Sequence, residues 1–176
     1  MYYRFDGKEP VINDGAYVSE TAIIIGDVVI GKNCYIGHGA ILRGDYGTIR
    51  IGNGAVIEEG VIIHAPPQEF CKIGIGVILG HGAIVHAASI GDYAGAGMGA
   101  ILSVRSEISG GSFAAEGAIV KQGQQIPGSI IVAGNPAKKV RDVSQKDRDF
   151  WDYTRKLYGD LAQKYLAIGM ERIELP

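Results

Sequence analysis

Residues 90–108 read IGDYAGAGMGAILSVRSEI, and an aliphatic or small residue returns at every sixth position of this stretch. The same period extends over most of the chain, with a few shifts of phase. The positions that carry it are Val18, Ile24, Ile30, Ile36, Leu42, Ile51, Ile57, Ile63, Ile73, Leu79, Val85, Ile90, Ala96, Leu102, Ile108, Ala114, Val120, Ile126 and Val132. A spacing of six places successive apolar residues on different sides of an α-helix, so a long helix is excluded.

This period predicts a mainly β fold, a parallel β-helix of hexapeptide repeats over residues 11–133. Each six-residue unit forms a short strand and a turn, and three units close one triangular coil. Successive coils stack about 4.8 Å apart, and the inward-facing ladder of aliphatic side chains makes a continuous core. The nineteen ladder positions, at three per coil, predict about six coils.

Two of the phase shifts are interpreted as insertions that bulge out at corners. The unit from Leu42 to Arg50 would carry three extra residues, and the unit from Ile63 to Lys72 four. Leu42, Ile63 and Val85 then lie above one another in successive coils. The residues that follow them form a second, outward-pointing column, which consists of Arg43, His64 and His86.

Three of the four histidines predict a metal site. His64 and His86 would lie on one outer face with backbones about 4.8 Å apart, close enough for two imidazoles to share a metal ion. His81 lies two residues after Leu79, on the preceding face, and cannot easily reach the pair in its own chain. It could reach the pair of a neighbouring subunit in a three-fold ring. Three histidines with an open fourth position form the ligand set of a catalytic zinc site, although any one of them alone would be an ordinary surface histidine.

The end of the chain changes character. Ser144 followed by Asp147 resembles a capping box, and apolar residues then recur at helical spacing. These residues are Phe150, Trp151, Thr154, Leu157, Tyr158, Leu161, Tyr165 and Leu166. We therefore predict an amphipathic helix over residues 144–168 that covers a flank of the β-helix, within a single domain of residues 1–176.

Composition narrows the class of protein. The net charge is −2 without any block of basic residues, which argues against nucleic acid or an anionic membrane as a partner. The start of the chain has no apolar signal region and no run of 18 apolar residues occurs, so neither secretion nor a membrane span is expected. Cys34 and Cys71 form no C-x-x-C motif, which favours reduced thiols and a cytoplasmic location.

With Arg43-Gly44-Asp45, Glu58-Glu59-Gly60 and the three histidines on a hexapeptide array, the chain resembles a γ-class carbonic anhydrase. The similarity is greatest to the bacterial branch with the phenylacetate-degradation and carnitine-operon proteins, and it extends from Gly7-Lys8-Glu9-Pro10 to Gly134-Asn135-Pro136-Ala137-Lys138. The resemblance implies a left-handed β-helix, a homotrimer, and zinc, or else iron or cobalt, at its three interfaces. It also implies reversible hydration of CO₂ to bicarbonate by a metal-bound hydroxide.

The resemblance assigns roles to four further residues. Arg43 and Asp45 match a structural, site-lining pair whose arginine reaches an acidic residue across the interface, and Glu59 is the acidic residue placed to meet it. Glu58 occupies a position where the family usually has a glutamine that orients the hydroxide. The acidic proton-shuttle loops of the family are missing, and Glu69 is the only carboxylate in the insertion after His64.

Two other functions remain open from the sequence. A hexapeptide-repeat acyltransferase or CoA-thioester hydrolase could use an interfacial histidine as a general base, and the segment Asn135–Lys138 is also common in that superfamily. A non-catalytic trimer stabilised by metal could bind a partner or a small ligand. Metal content separates the first of these from a carbonic anhydrase, because acyl transfer of this type needs no metal.

Overall fold

The computed structural model describes residues 1–174 and forms a parallel β-helix followed by one α-helix. The predicted fold class is therefore confirmed. Leu175 and Pro176, the last two residues of the predicted single domain, lie outside the described part. Among residues 1–174, no helix combines the length and apolar character that a membrane crossing requires.

The strands are short and follow one another closely, as the hexapeptide pattern demands. In chain order the elements are β1 Tyr2–Tyr3, β2 Val11–Ile12, β3 Tyr17–Val18, β4 Ile23–Ile30, β5 Tyr35–Ile36, β6 Ile41–Ile51, β7 Val56–Ile57, β8 Ile62–His64, β9 Phe70–Ile73, β10 Ile78–Leu79, β11 Ile84–His86, β12 Ser89–Ile90, β13 Gly95–Ala96, β14 Ile101–Leu102, β15 Glu107–Ile108, β16 Phe113–Ala114, β17 Ile119–Val120, β18 Gln125–Ile126, β19 Ile130–Ala133, β20 Lys138–Asp142 and α1 Gln145–Ile168.

Stacking of these strands in parallel register gives three faces. The helix face consists of β3, β5, β7, β10, β13, β16 and β19. The histidine face consists of β8, β11, β14, β17 and the first halves of β4 and β6. The polar face consists of β9, β12, β15, β18 and the second halves of β4 and β6. The seven strands of the helix face correspond to seven turns, against the predicted six, because this face carries seven of the nineteen ladder positions and each of the other faces six. Ile12, before the first predicted position, also stacks, opposite Ile30.

The predicted ladder is the core. Every ladder position except Val18 is buried. Val18 is partly exposed and packs against the buried ladder residues. Both predicted insertions are confirmed by the strand register, in which Leu42 lies opposite Ile63 and Ile51 opposite Ile73. The extra residues therefore leave the inward ladder in phase and are accommodated at the corners.

The C-terminal helix α1 confirms the predicted flank helix. Ser144 caps it in a complete capping box with Asp147, and its buried residues are Trp151 and Ala162. It contacts β3, β5 and β7, and the Trp151 ring stacks on Phe113 of the helix face with 4.6 Å between ring centroids. Aromatic side chains on the outside of the sheet are thereby removed from water, which stabilises the docked helix.

Strand β20 was not predicted. It pairs antiparallel with β19, the last strand of the helix face, and all five of its residues are exposed. Since none of its side chains enters the core, the sequence carries no apolar alternation there. The pairing depends on backbone hydrogen bonds to the free edge of β19.

Candidate metal centre

The predicted column of Arg43, His64 and His86 is present on the histidine face. Arg43 pairs in register with His64, and His64 with His86. The two imidazole rings stack with 5.1 Å between centroids and an angle of 12° between planes. Parallel strands one coil apart bring equivalent side chains into contact, so this pair follows directly from the hexapeptide register.

His64 has the properties that a metal ligand requires. Its Nε2 atom is buried and has no hydrogen-bond partner among residues 1–174. Burial lowers the pKa of His64, and the nearby Arg43 guanidinium and His86 imidazole lower it further, although Asp45 opposes the shift. The ring therefore stays neutral to a lower pH than usual, and a neutral imidazole nitrogen with a free lone pair is a metal donor. The buried, unpartnered Nε2 atom of His64 therefore fits a zinc-type ion.

His81 lies in the turn between β10 and β11, at the opposite edge of the histidine face from His86. Its Nδ1 atom is 2.8 Å from Glu59 Oε2, and its Nε2 atom is 3.2 Å from Glu58 Oε2. His81 also donates its backbone N–H to Glu58 Oε2 at 3.0 Å. Glu58, Glu59 and His81 thus form one cluster, separate from the His64–His86 pair.

Within the part of the chain that the structure describes, no three His, Cys, Asp or Glu side chains surround a common point that could hold a metal ion. The two halves of the predicted site lie at opposite edges of one face, so a single chain does not complete it. The intersubunit His₃ site therefore stays a prediction, and its geometry requires a neighbouring subunit.

Glu58 is a carboxyl group almost withdrawn from water, with 6% of its surface exposed. Its pKa is raised, chiefly by this burial and also by the charge of Glu59, although His81 and Tyr158 oppose the shift. For Glu59 burial also acts to raise the pKa, but the Tyr35 hydroxyl and the charge of His81 hold it below its usual value. Two adjacent carboxyls therefore have pKa values shifted in opposite directions.

Arg43 and Asp45 form an ion pair within one chain, with Arg43 Nη1 2.7 Å from Asp45 Oδ2. Asp45 Oδ1 lies 3.7 Å from His64 Nε2. Burial acts to raise the pKa of Asp45, but hydrogen bonds from Arg43 and from the Tyr46 backbone N–H hold it below its usual value. Arg43 and Asp45 therefore lie beside the histidine pair. The contact between Arg43 and an acidic residue of a neighbouring subunit stays a prediction.

Two tyrosines contact the cluster of Glu58, Glu59 and His81, and the sequence does not assign either of them to the site. The Tyr35 hydroxyl donates to Glu59 Oε1 at 2.6 Å, and the Tyr158 hydroxyl lies 3.4 Å from His81 Nε2. Burial and the charges of Glu58 and Glu59 raise the pKa of Tyr158 to about 12. In the sequence, Tyr158 is one residue of the apolar stripe of the predicted helix. The only signal that Tyr158 could approach His81 is the prediction that this helix covers a flank of the β-helix.

Three other groups near the site have structural explanations. His38 contacts Ser19 through Nδ1 at 2.6 Å and Tyr165 through Nε2 at 3.4 Å, so both of its nitrogens are engaged. Glu69 pairs with Arg105. Cys71 is buried, its Sγ donates to the His64 carbonyl oxygen at 3.3 Å, and burial raises its pKa to about 11, so its thiolate is disfavoured.

Comparison with known proteins identifies the family. The sequence model for the bacterial transferase hexapeptide (six repeats) matches residues 9–44. Carnitine operon protein CaiE of Escherichia coli (strain K12) is 37% identical over 91% of this chain and 82% of its own length. The chain belongs to the bacterial hexapeptide-repeat family.

Other members and relatives extend the comparison. A hexapeptide transferase family protein from Anaplasma phagocytophilum has a crystal structure that is 32% identical, with a TM-score of 0.90 over 94% of this chain and 98% of that one. Gamma carbonic anhydrase 2, mitochondrial, of Arabidopsis thaliana is 33% identical over 95% of this chain but only 62% of its own length. The hexapeptide-repeat chain is thus similar both to a transferase-family structure and to a carbonic anhydrase.

Proposed function

We propose that the chain is a metal-dependent, γ-carbonic-anhydrase-like enzyme that reversibly hydrates CO₂ at the interfaces of a homotrimer. The observation that carries this proposal is the stacked His64–His86 pair with the buried, unpartnered Nε2 atom of His64. The likeness to an Arabidopsis γ-carbonic anhydrase over 95% of the chain supports it.

The outer surface of the histidine face supports the trimer. Isoleucines occupy the outward position in six successive strands and stack in register; they are Ile23, Ile41, Ile62, Ile84, Ile101 and Ile119. Ile62 and Ile84, in the two strands that carry the histidine pair, are 38% and 36% exposed. A second copy of the chain covers this apolar stripe if histidine faces pack edge to edge around a three-fold axis, and that contact brings His81 of one chain to the pair of the next.

The ion would be zinc, with iron or cobalt as alternatives, held by His64 and His86 of one chain and His81 of its neighbour. When bound, such an ion lowers the pKa of a coordinated water to about 7 and so supplies a nucleophile for CO₂. Arg43 and Asp45 line the pair, and Asp45 faces His64 Nε2 at 3.7 Å. Glu58 lies 3.2 Å from His81 Nε2, where its carboxylate orients the attacking group by accepting a hydrogen bond.

The test of this function is stopped-flow CO₂ hydration by protein reconstituted separately with zinc, cobalt and anaerobic iron. We expect hydration that requires both the metal and His81, so that metal-free protein and the His81→Ala variant show only the uncatalysed rate. A metal-loaded trimer without hydration activity would contradict the proposal.

Glu58→Gln separates an orienting role from proton transfer. Because the amide oxygen still accepts a hydrogen bond and the charge that repels bicarbonate is removed, we expect kcat/KM to equal the wild-type value or to exceed it by up to about tenfold, equivalent to about 1.4 kcal/mol. Glu116→Gln changes another carboxylate of the cleft that Glu58 lines between α1 and the helix face, so it serves as the control and should leave the rate unchanged. A large loss of rate in Glu58→Gln with full metal content would instead identify Glu58 as a general base.

A cleft beside Glu58 and His81 favours a second candidate, the acyltransferase or CoA-thioester hydrolase. It has a volume of about 210 Å³, lies between α1 and the helix face, and has apolar walls that include Ile78, Phe113 and Trp151. Such walls would accommodate a small acyl group. Turnover of short-chain and aromatic acyl-CoA substrates by metal-free protein would support this function, and its absence would exclude it.

A further inference from the structure

The contacts of Glu59 connect a buried tyrosine to a metal-ligand histidine. Glu59 Oε2 lies 2.8 Å from His81 Nδ1, and Glu59 Oε1 accepts a hydrogen bond of 2.6 Å from the Tyr35 hydroxyl. Both carboxylate oxygens are thus engaged inside one chain. These three side chains come from three successive coils, because Tyr35 pairs with Val56 and Val56 with Ile78 along the helix face.

We propose that Tyr35 and Glu59 form an orienting pair that holds the proton of neutral His81 on Nδ1 and leaves Nε2 free as the metal donor. The metal in this proposal rests on the proposed function, whereas the tautomer of His81 does not depend on it. An ionised carboxylate only accepts hydrogen bonds, and each ring nitrogen of His81 faces one: Nδ1 lies 2.8 Å from Glu59 Oε2, and Nε2 lies 3.2 Å from Glu58 Oε2. Glu58 Oε2 already accepts the backbone N–H of His81, so the shorter contact with Glu59 places the hydrogen on Nδ1. The lone pair of the neutral ring then lies on Nε2, as in other carboxylate–histidine–metal arrangements.

The orienting pair is held rigidly. Tyr35 is 2% exposed, and its ring packs against Tyr17 and Tyr158 with centroid distances of 5.6 and 4.9 Å. Tyr17 in turn stacks on Tyr165 of α1 at 4.6 Å. The C-terminal helix therefore braces Tyr35, which fixes Glu59 and through it the ring of His81. In this way α1 of one chain positions a ligand for the metal that the neighbouring chain shares.

The surroundings of Nε2 are compatible with this tautomer. The Tyr158 hydroxyl lies 3.4 Å away and can donate to an unprotonated Nε2. The His81 side chain is partly exposed, with 46% of its surface open to solvent. Nδ1 is thus engaged by Glu59, and the proposed tautomer leaves Nε2, beside Tyr158 and Glu58, as the nitrogen with a free lone pair.

The first test needs no metal. Nitrogen-15 NMR of the imidazoles in metal-free protein, at about pH 9 and so well above the ordinary imidazole pKa of about 6.5, reports which nitrogen carries the proton. Loss of signals in His81→Ala assigns His81 among the four histidines. We expect Nδ1–H in the wild type and an increased share of Nε2–H in Glu59→Gln. An Nε2–H tautomer in the wild type would overturn the inference.

The second test measures metal affinity by competition with a chelator, together with the cobalt absorption spectrum. In Glu59→Gln we expect zinc to bind about 10- to 100-fold more weakly, with an altered spectrum and an intact trimer by sedimentation. Tyr35→Phe should give a smaller loss in the same direction. Glu107→Gln, which changes an exposed carboxylate on the polar face, is the matched control and should leave the affinity unchanged.

The outcomes separate the two proposals. A wild-type protein that binds no metal would contradict the proposed function, while the NMR experiment would still decide the tautomer. A wild-type protein that binds metal, with unchanged affinity and spectrum in Glu59→Gln, would leave the proposed function standing and overturn the orienting role. A loss of affinity in Glu59→Gln that accompanies dissociation of the trimer would also overturn it, because that result is expected of a purely structural ion pair.

Discussion

Mixed trimers of the His81→Ala and His64→Ala chains are expected to bind metal, although neither variant binds it alone. In the proposed trimer, each interface takes the histidine pair from one chain and His81 from the next. Every mixed trimer therefore retains one interface at which an intact pair meets an intact His81. Sequential purification of two co-expressed chains through different affinity tags should yield mixed trimers with about one third of the wild-type metal content per chain.

The control uses two variants that damage the same half of the site. Mixed trimers of His64→Ala and His86→Ala have an incomplete pair in every chain, so they should contain no bound metal, even though each chain keeps its His81. Metal content is measured by elemental analysis after dialysis against a weak chelator. Mixed trimers of His81→Ala and His64→Ala that assemble but contain no metal would contradict the intersubunit site.

Leu79→Ala is expected to destabilise each chain by about 2–5 kcal/mol, because it leaves a cavity in the continuous core. Leu79 is fully buried and lies in the ladder between Ile57 and Ala96, in the coil that carries His81. The measurement is equilibrium denaturation at one fixed protein concentration, because dissociation of an oligomer contributes to its apparent stability.

Leu157→Ala removes the same atoms at a half-exposed position of α1 and is the matched control. We expect its effect to stay within about 0.5 kcal/mol, since a surface position loses little packing and alanine is a good helix former. Equal effects of the two substitutions would show that the ladder at Leu79 does not dominate the stability of the coil.

The β-helix could be predicted because its core is encoded by local spacing. An inward side chain must return once per face, so residues such as Ile57, Leu79 and Ala96 mark each coil directly in the sequence. The predicted column of Arg43, His64 and His86 followed from the same register and is confirmed. Strand β20 could not be predicted, because its residues are exposed and its pairing uses only backbone atoms.

The surroundings of His81 were only partly predictable. Counting residues places Glu59 one coil below His81, because Glu59 lies two residues after Ile57 and His81 lies two residues after Leu79, whereas only the family resemblance assigns Glu58 to the site. Tyr158 is 77 residues away in the sequence, and its contact with His81 depends on the angle at which α1 docks on the helix face. Helical spacing predicts which side of α1 is apolar, but it does not specify where along the sheet each aromatic ring will lie.

The sequence by itself therefore determined the coil register, the neighbouring positions of His64 and His86, and the position of His81 on the preceding face, away from that pair. All three depend on a fixed repeat, because in such a repeat the number of residues between two positions fixes the distance between them. Only the tertiary structure decided which groups each histidine meets, namely a buried Nε2 without a partner in His64 and a carboxylate, braced by Tyr35, against Nδ1 of His81. Side-chain directions and helix docking set these contacts, and they arise from packing between segments far apart in the chain rather than from any local period.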